Sequence, residues 1–176
     1  MNVIYGISLL FAALMLFAAI SDATKFVIPN AVVVGILALF CSAALMLPFE
    51  VRWELHLGAL VAVLAVGLVV YRFDGLGAGD VKLISALALW TGFEHLPALI
   101  LYTALAGGAL ALVLVISRLL LFSTACYFPK LEPALRARVF RTGAKIPYGV
   151  AIAIGGIVTG FSLPHLGLFI GIGTSI

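Results

Sequence analysis

Three aspartates stand in this 176-residue chain, and two of them, Asp22 and Asp80, sit where an apolar run meets its polar boundary. Asp80 closes the segment Gly77-Ala78-Gly79-Asp80, while Asp22 follows the apolar run 3–21. Ionisable groups at membrane depth are costly, so they are functional candidates by default. Two carboxylates held together in a partly dry site can share one proton, which lets one act as general base and the other as general acid. The chemistry these residues suggest is that of an aspartyl protease working in the membrane.

Carboxylates at that depth need apolar helices to carry them. Hydrophobic residues make up 65% of the chain, charged residues 10%, and the mean hydropathy is +1.31. No soluble core of this size could hide that much apolar surface. Uncharged stretches run 3–21, 26–49, 57–71, 83–93, 96–117 and 146–176, and most approach the roughly 17–25 residues of a spanning helix. The expectation is an all-α polytopic membrane protein of about six transmembrane helices. The fourth run is short, and snorkelling by Lys82 extends it to about 81–97. The sixth is long and holds Gly155, Gly156, Gly160 and Pro164; one kinked helix ending near Phe161, followed by an interfacial tail over 166–176, accounts for it.

Charge orients the set. With the N-terminus outside, the cytoplasmic segments hold Lys25, Arg72, Lys82, Arg118, Lys130, Arg136, Arg138, Arg141 and Lys145, and the outer ones only Arg52. That is a strong positive-inside signal, and it puts Asp22 and Asp80 on the same cytoplasmic side. The run at the N-terminus is not read as a cleaved signal peptide, because no Lys or Arg precedes it and its apolar stretch is long. No solenoid repeat or low-complexity tract appears, so residues 1–176 are expected to form a single domain. Its one sizeable polar stretch, 123–145, is a basic cytoplasmic loop with five basic residues and one acid, Glu132. Attraction to anionic inner-leaflet lipids explains that loop more simply than substrate docking; no nucleic-acid partner is expected.

Metal and nucleophile motifs gain no support. Cys41 and Cys126 lie apart, and His56, His95 and His165 are expected near outer helix ends, where interfacial solvation explains them. No His-Glu-x-x-His or Gly-x-Ser-x-Gly segment occurs. No metal or cofactor is expected.

The two aspartates have different surroundings. Pro29 forbids a smooth helix through 22–30, which leaves Asp22 at the end of helix one and Asn30 near the start of helix two. A carboxylate at a helix C-terminus opposes the dipole, which argues against a decorative role. Asp80 directly precedes an apolar helix, where a capping aspartate belongs. Capping leaves unexplained the glycines at 75, 77 and 79, which would let a peptide approach the carboxylate. Asp74, beside Arg72, ranks third.

Gly77-Ala78-Gly79-Asp80 with Val81-Lys82-Leu83, the upstream Asp22 with Ile28-Pro29-Asn30, and the late Lys145-Ile146-Pro147-Tyr148-Gly149 together resemble the type IV prepilin peptidases, a GxGD aspartic protease family. The three motifs span most of the chain in the right order, and the short form is most similar to the enzymes of Flp/Tad-type pilus systems (TadV/CpaA-like). The resemblance implies a prepilin or pseudopilin substrate with a short basic leader, cut after a glycine on the cytoplasmic face of a bacterial inner membrane. It implies Asp22 and Asp80 as the catalytic pair. Larger members carry an N-terminal cytoplasmic region with paired cysteines and also methylate the new N-terminus; here only a short turn around Lys25 separates helices one and two, so peptidase activity alone is expected.

On that basis Gly77, Gly79 and Lys82 form a supporting loop whose glycines let Asp80 move toward Asp22. Pro147, Tyr148 and Gly149 close the site from helix six. The dipoles favour an ionised Asp80 as base and a protonated Asp22 as acid. Two rivals remain at this stage: a small proton- or cation-coupled transporter with the acids in a polar cavity, and a non-catalytic pilus assembly subunit.

Overall fold

In a computed structural model of the chain, the described residues are 2–46, 51–125 and 147–162. Every element among them is helical: α1 (Asn2–Lys25), α2 (Asn30–Met46), α3 (Trp53–Arg72), α4 (Ala78–Ala125) and α5 (Tyr148–Ser162). Three stretches are long and apolar enough to cross a membrane, Val3–Lys25, Trp53–Arg72 and Ala78–Ser117, with Asn30–Met46 and Tyr148–Gly160 as shorter apolar helices. Most of the basic loop, the expected tail over 166–176, Lys145, Cys126 and His165 lie outside the described residues.

α4 is a helical hairpin. Its backbone leaves helical geometry at Gly92, where φ is +56° and ψ −174°, a conformation that L side chains rarely adopt. Ile84 on one side of that break and Ile100 on the other line the same apolar cavity, although a straight helix would separate them by about 24 Å. α5 tells the same story: a Cβ on Gly156 would meet Leu87, while one on Gly155 would meet the Thr103 backbone. The fourth and fifth apolar runs are therefore two arms, 78–91 and 93–125. The extension of the fourth run to residue 97 does not hold; the chain reverses at Gly92, and Pro97 falls near the start of the second arm, where a missing N–H costs less than in mid-helix.

The break frees carbonyls at the end of the first arm, and His56 takes one. Its Nδ1 lies 2.7 Å from the Leu89 carbonyl, which can only accept, so Nδ1 carries the proton. The ring also covers Gly92, where a Cβ would sit 3.3 Å from Cε1. His56 is thus a helix-end partner packed on Phe40, not a solvated interfacial residue as its position in the sequence suggests. Arg52 and Glu94 pair across the same end.

The first arm of α4 and the body of α5 are the most enclosed parts of the bundle, with residues 85–92 and 151–153 buried. Trp90 organises the core from the first arm. It is almost fully buried, its Nε1 donates to the Ile36 carbonyl at 3.1 Å, and Phe11 and Phe40 meet its ring edge-on at 5.1 and 5.4 Å. One side chain thereby ties α1, α2 and α4, with its polar atom satisfied. α3 is peripheral: only 11% of its most apolar window is buried, a surface suited to lipid rather than water.

Both connections near the aspartates are sharp turns with identifiable causes. α3 ends in a Schellman motif, with Gly75 N–H donating to the Val70 carbonyl and Asp74 N–H to the Tyr71 carbonyl, both at 3.0 Å. Asp74 supplies the left-handed residue, at φ +57°, a conformation Asp tolerates better than most side chains. α1 ends with Phe26 at φ +55° and its N–H on the Asp22 carbonyl at 2.9 Å. Placing a bulky aromatic there costs on the order of 1–3 kcal/mol.

Candidate functional site

The three motifs, dispersed along the sequence, meet at one end of the bundle. Asp22 lies in the last turn of α1, where its side chain is 6% exposed. Its neighbour is the first turn of α5. The backbone N–H groups of Gly149 and Val150 face its carboxylate, while its Oδ2 is buried with no hydrogen-bond partner among the described residues. A helix N-terminus offers free N–H groups to an anion, which offsets the unfavourable dipole of α1 at this position. The contact is possible because residue 149 lacks a side chain: a Cβ there would stand 2.8 Å from Asp22 Oδ2.

Asp80 lies in the first turn of α4 and is 9% exposed. Gly77 heads the helix, since its carbonyl accepts the N–H of Val81 at 3.1 Å. The Asp80 Oδ2 reaches back to the Gly77 N–H at 3.2 Å, the reciprocal half of a capping box. Asp80 therefore stands three residues inside the start of the helix rather than at the cap position itself. A Cβ at 77 would fall 2.9 Å from that oxygen, so the bare backbone makes room for the carboxylate.

Ile28 connects the two. It is 7% exposed and packs on Gly79, where a Cβ would lie 3.2 Å from Ile28 Cβ, and on Gly149, where a Cβ would lie 2.8 Å from Ile28 Cδ1. The space left by Gly79 is thus filled by the chain's own isoleucine instead of standing open to a peptide. Ser21 Oγ donates to the Val27 carbonyl at 2.8 Å and braces the turn. Lys82, exposed, donates from Nζ to Asn30 Oδ1 at 3.1 Å and joins the heads of α4 and α2.

Of the residues singled out from the sequence, Asp22 and Gly149 touch, and Asp80 and Gly77 are bonded. Gly79 joins them through Ile28, and Lys82 binds Asn30. Pro147 is buried beside Gly149, and Tyr148 is exposed at the surface of the same turn. Asp74 lies exposed in the α3 stop. Ile28 stands in the Ile28-Pro29-Asn30 motif with no role assigned to it, and Val150 and Ser21 carry none either; the signal for them is that they adjoin Gly149 and Asp22.

A family model described as the type IV leader peptidase family matches residues 9–112, more than half of the chain. A protein of Burkholderia pseudomallei named prepilin leader peptidase/N-methyltransferase is 32% identical over 108 residues, covering 58% of this chain and 35% of its own length. A protein of the same name from Stutzerimonas stutzeri is 31% identical over 107 residues, covering 57% and 30%. The chain thus spans about a third of the length of these curated relatives. No solved structure matches it.

Proposed function

The chain belongs to the type IV leader peptidase family, and from that premise we propose that it is an aspartic endopeptidase that removes the leader of Flp-type prepilins at the cytoplasmic face of the bacterial inner membrane. The observation that carries this reading is that the segments bearing two buried carboxylates, Asp22 and Asp80, meet through Ile28, which packs on Gly79 beside Asp80 and on Gly149 against Asp22, at one end of an apolar bundle. A transport pathway would put its acids near the middle of the spans.

Asp80, whose Oδ2 accepts from the Gly77 N–H at the head of its helix, is the base, and Asp22, whose Oδ2 is buried with no partner among the described residues, holds the proton. Asp80 takes a proton from water as the water oxygen attacks the scissile carbonyl carbon, and Asp22 donates a proton to the carbonyl oxygen. Collapse of the tetrahedral gem-diol breaks the C–N bond: the proton held by Asp80 passes to the leaving amine, and a hydroxyl proton of the intermediate returns to Asp22 as the new carboxyl group forms. Gly77, Gly79 and Lys82 belong to the head of α4 rather than to a free loop: Gly77 makes room for the Asp80 carboxylate, Gly79 for Ile28, and Lys82 is tied to Asn30. Pro147, Tyr148 and Gly149 close the site from α5. No metal takes part.

The topology that fits is six spans with the N-terminus outside, a single domain over 1–176, and the loop 123–145 in the cytoplasm against lipid headgroups. The two relatives are named for leader cleavage and N-methylation; only the first is assigned here, because just four residues, 26–29, separate α1 from α2.

Co-expression with an Flp-type prepilin tests the reading by gel mobility. Wild type should yield the shortened pilin and Asp22→Asn/Asp80→Asn should not. Equal processing by both, or none by wild type, would overturn it.

A further inference from the structure

We propose that Ile28 is a positioning residue of the aspartate pair, a wedge that sets the separation and the dryness of the space between the carboxylates of Asp22 and Asp80. The inference rests on the aspartic-peptidase reading above and assigns a role to a side chain that does no chemistry itself.

The contacts of Ile28 are not those of an ordinary core residue. One flank bears on Gly79, the residue next to Asp80, and the other on Gly149, which itself lies against Asp22. Both surfaces are bare backbone, so any change in the isoleucine moves the segments that carry the acids rather than a flexible side chain. Its own freedom is small. A β-branched side chain has few rotamers, its backbone is pinned by the bond from Ser21 to Val27 and by the left-handed Phe26, and Pro29 follows directly. Only five residues, 23–27, comprising the end of α1 and its turn, separate it from Asp22, so wedge and carboxylate form one unit.

The consequence is electrostatic. Two carboxylates that share a proton titrate as a pair, and the gap between the two apparent values grows with their proximity and with the dryness between them. Those values are the limbs of the pH–rate bell. Besides the pair, the titratable groups at the ends of the elements that meet near Ile28 are Lys25 at the end of α1, Lys82 near the head of α4 and Tyr148 at the start of α5, with Arg72 and Asp74 where α3, packed on α4, ends, while α2 begins at the uncharged Asn30. Cutting the wedge to alanine leaves a void. Water entering it weakens the coupling and draws the limbs together, whereas closure of the void brings the acids nearer and spreads them. A residue that only fills the core would change the yield of folded enzyme and its melting temperature while leaving the limbs in place.

The test is kcat/KM against pH for purified wild type, Ile28→Ala, Ile28→Val and Ile28→Leu, with a prepilin in detergent. Ile28→Ala is expected to lose about 10²-fold in rate, the effect of misplacing catalytic groups by about 1 Å, with the spacing of its limbs altered. Ile28→Val, which removes only the Cδ1 that abuts Gly149, should shift the spacing in the same direction by less. Wild-type limb positions in Ile28→Ala would overturn the proposal; if that variant cannot be purified, wild-type limbs in both Ile28→Val and Ile28→Leu would do so. Asp22→Asn and Asp80→Asn run alongside: a wild-type rate in either folded variant sinks the aspartate-pair reading itself, while their loss of activity with unmoved limbs at position 28 sinks only the wedge.

Discussion

At the scale of the residue, the three aspartates have three different structural duties. Asp74 stops α3 from a left-handed backbone position and is exposed, so its side chain matters for conformation rather than chemistry. Asp74→Asn, which keeps left-handed tolerance, is expected to retain both fold and cleavage. Asp74→Val should destabilise by about 1–2 kcal/mol, read as a lower melting temperature in detergent. Gly149 stands at the opposite extreme: Gly149→Ala puts a methyl into the Asp22 carboxylate and should abolish cleavage in a prepilin mobility assay while the protein still inserts. The candidate pair was legible because acids at the edge of an apolar run are rare and costly. The packing role of Ile28 was not, even though it stands in the Ile28-Pro29-Asn30 motif, because hydrophobicity looks alike at every core position and its two glycine neighbours are remote in sequence.

At the scale of the element, run lengths marked most of the helices, and Pro29 marked the junction between α1 and α2. What they could not place is the turn between the short fourth run and the fifth, at Gly92 rather than beyond residue 97. The turn depends on a single positive φ at Gly92 and on the ring of His56 over it, a contact between elements that no local pattern encodes. Removing the ring by His56→Ala should strand the Leu89 carbonyl and lower stability by about 1–3 kcal/mol, without shifting the pH profile of cleavage, since His56 sits at the other end of the first arm from Asp80. Gly92→Ala should be worse, because it adds backbone strain to a clash with the ring.

At the scale of the whole molecule, the apolar exterior of α1 and α3 describes a protein whose solvent is lipid, and the one-sided charge of the proposed topology predicts which segments face the cytoplasm. Single cysteines at Ser123 and Thr142, in a background lacking Cys41 and Cys126, should react with impermeant reagent from the cytoplasm, and one at Glu54 from outside. Labelling of Thr142 from outside would invert the topology and remove the aspartates from the face where a prepilin leader lies. A carboxylate pair also needs no metal, so purified enzyme should cleave unchanged in the presence of chelators; loss of activity restored by added zinc would contradict the mechanism.

The central claim is that Asp22 and Asp80 act together as acid and base, and the most direct measurement is the single-turnover rate of prepilin cleavage by purified Asp22→Asn and Asp80→Asn, each checked for wild-type melting behaviour. Losing either proton-transfer partner should cost at least about 10²–10⁴-fold, and because the two act as a unit, the double substitution should cost little more than either single one. A folded single variant cleaving at the wild-type rate would contradict the account.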